Sequence, residues 1–374
     1  MLYRCVFLIF FFLLSSDVSF SKWLEISNLQ VKKEITDQGG AKIIIEYDIN
    51  DPEISSDSPA YVFVRFSKDS GKEWYLLPTK YLRGDGYDIV DSPGHKQVIW
   101  WGPTEMSFSN LDQLKFKVLA MKMIKIPGGE FTMKAVPGGG YDGSKSQNRV
   151  SGLSTFYVAK YETTIAMYVD YLNEVGGDGT GWNKRMSDNL RCGITQNGAS
   201  PNFTYSVIPG REKFPITYVS WYDAVAFLEW CGLRLPIEAE WEKAFRGGIF
   251  LDGDEKKQKS NLLPERKYPW GNEAPNEGGI YRCNYDGADD GFENSAPVGS
   301  FEKFNSPNGV SDMAGNVAEW TLDWYTTTYH IGIDGFRVVR GGSWMAVPVE
   351  CDAITGATSI PLKESSIMGF RGAK

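Results

Sequence analysis

The run Asn308–Trp320, NGVSDMAGNVAEW, constrains this chain more than any other stretch, because it concentrates oxygen ligands in one tight turn. Asp312, Asn316 and Glu319 supply side-chain oxygens. Gly315 lets the backbone turn with positive φ, so that main-chain carbonyls point at the same spot. Carboxylate, amide and carbonyl oxygens together suit a hard cation such as Ca²⁺. Trp320 and Trp324 follow at helical spacing and are expected to seal the site from beneath. The competing reading is a capped turn in which Asp312 and Asn316 bond local amides. A second oxygen-rich segment lies just upstream, CNYDGADDGFENSAPVGSF, where Asn284, Asp286, Asp289 and Asp290 crowd a Gly-punctuated loop. It lacks the DxDxDG register and terminal Glu of an EF-hand, and a solvated acidic loop is its plain alternative.

The chain has 374 residues, which suggests about two domains. Forty glycines and twelve tryptophans point to loops laid over an aromatic-rich core rather than long helices. The net charge of −8, with no basic cluster, argues against a nucleic-acid surface. Met1–Ser21 reads as a secretory signal: Arg4 gives the positive start, Val6–Leu14 is unbroken and apolar, and Ser19-Phe20-Ser21 offers small residues for cleavage. That run is too short for a comfortable membrane span. Cys5 precedes it and is not placed to carry a lipoprotein lipid. The expected product is soluble and secreted or periplasmic, with no membrane span after cleavage. Cys192, Cys231, Cys283 and Cys351 remain, and four cysteines allow three pairings among which sequence does not choose. There is no CxxC, and His95 and His330 make no cluster for zinc or iron.

Residues 22–121 carry period-two patterning in AKIIIEYDI, AYVFVRFS, EWYLLP, QVIWW and LKFKVLAM, separated by turn signals such as SKDSGK and DSPGHK. This predicts an all-β sandwich of immunoglobulin or fibronectin type that closes on itself. Residues 123–374 form the second expected domain. It opens on a turn at Gly128-Gly129, with a Gly-rich loop at Val136–Ser144 that lacks the GK[ST] of a phosphate loop. Apolar spacing predicts a helix over Ile165–Val175, capped by Thr163 or Thr164. Gly176–Arg211 reads as a long irregular loop. Ser220 or Asp223 caps another helix with Ala224, Phe227, Leu228 and Cys231 on one face, and Pro236 starts a third. Glu238, Glu240 and Glu242 sit in its first turns, as helix-stabilising charge or as candidate acids. Leu251–Lys267 reads as a mobile insertion.

RLPIEAEWEKAFRGG (Arg234–Gly248), YPWGN (Tyr268–Asn272), GNVAEW and RGGSW…GFR, in that order, resemble the formylglycine-generating enzyme (sulfatase-modifying factor) family over roughly Met123–Lys374. The resemblance implies an α+β variant of the C-type lectin fold with little regular secondary structure and bound calcium. It implies one calcium set of Asn284 and Asp290 side chains with Tyr285 and Phe292 carbonyls. The other set is Asp312 and Glu319 side chains with Gly315 and Val317 carbonyls.

In those enzymes two cysteines follow GGS, five apart, hold Cu(I) and use oxygen to convert a sulfatase cysteine to formylglycine. Here the first position is Ala346 and the second Cys351. The next histidine is Val347, the tryptophan of GNxWEW is Ala318, and GFRC reads GFRG. Soft Cu(I) prefers two thiolates, so one sulfur leaves it weakly held. Cys351 and Ser343 remain the candidate catalytic residues. Cys351 reads equally as a packed thiol or half of a disulfide, with Cys231 as one partner, and Met345 as a core methionine. Two functions follow: an exported binding or scaffold protein that takes an extended peptide or protein ligand, or an oxidase with a site rearranged around Cys351. Related iron-dependent sulfoxide synthases need a histidine triad that is missing here.

Overall fold

The structure is a computed structural model and describes residues 23–35, 41–101, 111–133, 148–150, 152–287, 289–325 and 335–374. The expected signal Met1–Ser21, the Gly-rich loop Val136–Ser144 and His330 lie outside the described residues. The first part of the chain is stranded: β1 (Ile26–Ile35), β2 (Ala41–Ile49), β3 (Ala60–Ser67), β4 (Tyr75–Leu76), β5 (Leu82–Gly84), β6 (Asp88–Val90), β7 (Gly94–Trp101) and β8 (Lys115–Ile126). One sheet has the order β1-β2-β7-β5. A second runs β8-β3-β4, with β6 also on β3, and continues past β8 to β11 (Phe156–Ala159), beyond the short hairpin of β9 (Phe131–Met133) and β10 (Asn148–Val150).

Alternation explains the layering. Ile43, Ile45, Tyr47 and Ile49 point one way from β2 and meet Val62, Val64, Phe66, Val98 and Trp100 in a first core. β3 is buried on both faces, and its other face, Tyr61 and Phe63, enters a second core with the helices. β8 goes further. Val118 and Ala120 lie in the first core, Met121 and Met123 in the second, and Ile124 and Ile126 in a third. The strand runs unbroken through 121–123, where the sequence places a boundary between domains.

The helices follow their caps. α1 (Ile165–Val175) starts at Thr164, whose hydroxyl accepts from the Met167 amide. After the hairpin of β12 (Ile194–Asn197) and β13 (Thr204–Val207), α2 (Trp221–Cys231) begins with a capping box between Ser220 and Asp223 and stops at Gly232 in the left-handed region. α3 (Glu238–Arg246) buries its glutamates against arginines: Glu240 pairs with Arg234, and Glu242 with Arg246 and Arg340. They are ion-pair partners rather than acids facing a cleft. Leu251–Lys267, expected to be mobile, carries α4 (Gly253–Lys256), where the Asp254 amide donates to the Gly128 carbonyl and its carboxylate accepts from the Glu130 amide. Buried Asn261 there donates to the Arg246 and Gly248 carbonyls and accepts from Arg266. The terminal sheet has the order β16-β15-β14-β17, from β14 (Ala318–Trp324), β15 (Arg337–Arg340), β16 (Gly356–Ser359) and β17 (Met368–Gly369). Trp320 and Trp324 thus lie on a strand, not a helix. A register shift separates them, so Trp320 is buried while Trp324 is 49% exposed and stacks on Arg337. The whole is a mixed, sheet-rich architecture with few helices.

Candidate functional site

The two oxygen-rich loops meet at one junction. The Asn316 amide donates to the Asn284 carbonyl at 2.8 Å, and a Cβ on Gly315 would sit 2.0 Å from that same oxygen. Only glycine fits there, and its φ of +72° matches that freedom. Asp312 and Asn316 also have positive φ, +56° and +61°, which their short polar side chains tolerate. The terminal loop closes the third side: Gly315 donates to Gly341, Trp344 to Asn316, and Asp286 to Ala346.

In the first set, Asp290 accepts from the Tyr285 and Phe292 amides at 3.1 and 2.9 Å, which ties its carboxylate to the two residues whose carbonyls are expected in the set. Burial raises its pKa. Asn284 donates through Nδ2 to the Asn294 carbonyl and to Asn316 Oδ1, but its own Oδ1 is buried with no hydrogen-bond partner. A buried amide oxygen left unbonded costs about 1–3 kcal/mol. A hard cation shared with Asp290 would satisfy it, so this donor set fits one.

The second set is more crowded. Asp312 accepts from the Gly299 amide at 2.6 Å. Glu319 is gripped by Arg371, Nε and Nη2 at 2.7 and 2.6 Å, and accepts from Trp241 Nε1 at 2.9 Å. Glu162, which lies at the entry to α1 and is not among the candidate ligands, accepts from Asn316 Nδ2 and the Val317 amide. All three carboxyl groups are buried. Burial, then Asp312 and Glu319, pushes Glu162 well above the usual carboxylate range, and burial lifts Asp312 to about 6. Three carboxyl groups crowd one guanidinium, and a cation that shared Glu319 with Arg371 would favour the ionised forms of Glu162 and Asp312. Among the described residues no three His, Cys, Asp or Glu side chains converge as metal ligands. Any cation here therefore needs amide or main-chain oxygens beside the one or two carboxylates of each set.

The candidate catalytic positions lie in the terminal loop. Ser343 is buried, and its hydroxyl accepts from the Met345 amide. Ala346 is buried, Val347 is half exposed, and Met345 is 55% exposed rather than a core methionine, because the turn after Ser343 carries it outward. Cys351 is fully buried at the end of a 3-10 turn, Pro348–Cys351, in the third core. Cys231 belongs to the second core, and its thiol donates to the Leu228 carbonyl. Cys283 shares that core with Cys351, which together with burial raises the Cys283 thiol well above its ordinary range, while the Cys351 thiol itself donates to the Val347 carbonyl. The signal for this pairing is that Cys283 directly precedes Asn284, whose loop the GNVAEW turn contacts.

A family model described as the sulfatase-modifying factor enzyme 1-like domain matches residues 111–374. The chain is 32% identical to the formylglycine-generating enzyme of Mus musculus, across 67% of this chain and 74% of that protein. It is 31% identical to the inactive C-alpha-formylglycine-generating enzyme 2 of Bos taurus, across 68% and 88%. Among solved structures, PvdO from Pseudomonas aeruginosa aligns with a TM-score of 0.46 at 21% identity, covering 67% of this chain and 93% of that one.

Proposed function

Since this chain belongs to the sulfatase-modifying factor family, we propose that it is an exported, calcium-stabilised binding or scaffold member without the oxidase centre. The observation that carries this is Ala346: a buried methyl group stands at the first thiol position, and a half-exposed Val347 at the histidine position. Neither side chain ligates a soft ion or moves a proton. The bovine relative described as inactive is about as similar to this chain as the mouse enzyme is, which is consistent with such a role. The ligand is an extended peptide or protein segment. The test is to incubate copper-loaded protein with a CxPxR peptide and oxygen and to search for aldehyde by mass spectrometry. None is expected. Aldehyde that disappears in Cys351→Ser overturns the reading.

One observation favours the second reading, an oxidase acting on a sulfatase cysteine. Cys283 places a second sulfur in the same buried core as Cys351, and Cu(I) prefers two thiolates. Oxidase activity lost in both Cys283→Ser and Cys351→Ser would establish it.

Calcium is assigned to Asn284, Tyr285, Asp290 and Phe292, and to Asp312, Gly315, Val317 and Glu319. Supporting it are the unpartnered Asn284 oxygen and the three buried carboxyl groups gathered around Arg371. A cation bound only by the native state raises the melting temperature with its concentration. Chelator should lower the transition, and Asp290→Ala should remove one equivalent. An unchanged melting curve with no calcium by elemental analysis would sink the assignment. Export is assigned to Met1–Ser21, with β1–β8 as an immunoglobulin- or fibronectin-like spacer or adhesion module and the remainder as a C-type lectin-like variant. N-terminal sequencing of secreted or periplasmic protein should begin near Lys22. Among the described residues no helix is long and apolar enough to cross a membrane.

A further inference from the structure

We infer that Cys283 and Cys351 are a reversible disulfide pair that locks the first oxygen-rich loop to the terminal loop. The two thiols come from segments far apart in sequence, yet they lie buried in one core, where Cys351 is the main influence that raises the Cys283 thiol. The Cys192 and Cys231 thiols sit in a different core, donating to the Thr217 and Leu228 carbonyls. The backbones around the pair are already in register. Asp286, three residues past Cys283, donates to the Ala346 carbonyl at 2.9 Å, and Cys351 ends the turn that follows. Gly342 keeps the space over the sulfur open, since a Cβ there would lie 3.0 Å from Cys351 Sγ.

Both cysteines are buried, so the bond forms while the loops are still apart or when the Pro348–Cys351 turn lifts. Val347 and Val349 on that turn are exposed, which leaves its outer side free to move. The oxidant is a low-molecular-weight disulfide. One protein thiolate attacks a sulfur of RSSR and expels RS⁻. The second thiolate then attacks the mixed disulfide and expels the other RS⁻. The protein gives up two electrons and two protons, and two RSH are formed. Closing the long loop Asn284–Glu350 restricts the unfolded chain and so favours the native one.

The inference does not rest on the binding or oxidase reading, and its test uses purified chain. Protein unfolded in denaturant and reductant is refolded in a mixture of reduced and oxidised glutathione, trapped with iodoacetamide and mapped by mass spectrometry. The expected product is a cross-linked Cys283–Cys351 peptide, with Cys192 and Cys231 alkylated. Its melting temperature should exceed that of the reduced protein by roughly 5–10 °C. In Cys283→Ser the transition should no longer respond to reductant. Alkylation of all four cysteines, or Cys351 linked to Cys231 or left as a glutathione adduct, overturns the pairing. The wild-type map decides even where a variant does not fold.

Discussion

Arg371 spends its donors on one neighbourhood. Two go to Glu319, and the rest reach the carbonyls of Ala159, Lys160, Ser311 and Asp312. Removing one partner of a buried ion pair leaves the other charge uncompensated. Arg371→Met should therefore cost about 3–5 kcal/mol in urea denaturation, and a loss near zero would mean that Glu319 is neutralised by something else. Lys243 is buried by contrast with no salt bridge to a carboxylate among the described residues: its ammonium donates to the Gly129 carbonyl at 2.7 Å. Burial lowers its pKa from 10.5 to about 8. Between those values the unfolded chain binds the proton more tightly than the native one, so this group's penalty is largest below pH 8 and fades as pH rises. The stability of wild type relative to Lys243→Met should improve from pH 8 to 10.5. A difference independent of pH would contradict the shift.

At the scale of elements, local chemistry was readable where it was sufficient. β2, β3 and α1 coincide with the patterned runs Ala41–Ile49, Ala60–Ser67 and Ile165–Val175. Ser220 shows why: its hydroxyl accepts from the Asp223 amide while Asp223 answers the Ser220 amide, a box written within four residues. Ser220→Ala should lower stability by about 1 kcal/mol, measurable as a shift in thermal midpoint. β1 escaped notice because ISNLQVKKEI is an edge strand of mixed polarity, held by pairing with β2 rather than by its own pattern. Trp320 and Trp324 misled because a four-residue interval suits a helix face and a strand face alike, and only the pairing of β14 with β15 decides between them. The oxygen-rich loops were legible as sequence because their ligands are neighbours in it. Glu162, Arg371 and the Cys283–Cys351 contact were not, because each depends on distant segments meeting. Gly315 tests that meeting. Gly315 and Gly309 both have positive φ, but a Cβ at Gly309 meets nothing nearer than 3.8 Å, whereas at Gly315 it strikes the Asn284 carbonyl. Gly315→Ala should therefore destabilise clearly more than Gly309→Ala in the same melting assay, and equal losses would show strain alone at work.

Across the whole molecule, β3 and β8 belong to more than one core, so the strands that look self-contained in sequence are shared property. Glu174 of α1 ties them to the helices: it accepts from Arg65 of β3, Lys117 of β8 and Trp230 of α2. A fragment of residues 23–121 strips the helices from Tyr61, Phe63 and Met121. It should melt below the intact chain and bind a hydrophobic dye; a fragment as stable as the parent would show that the first core suffices. The outer edge of β11 carries a further implication. Tyr157 exchanges two main-chain hydrogen bonds with Lys374, Ala159 donates to Gly372, and Arg234 exchanges two more with Ala373. A ribosome makes residues 372–374 after every segment they brace. Until they emerge, the nascent chain holds an open sheet edge beside an unfinished core, so that final closure waits on the arrival of this distant segment rather than on local folding speed.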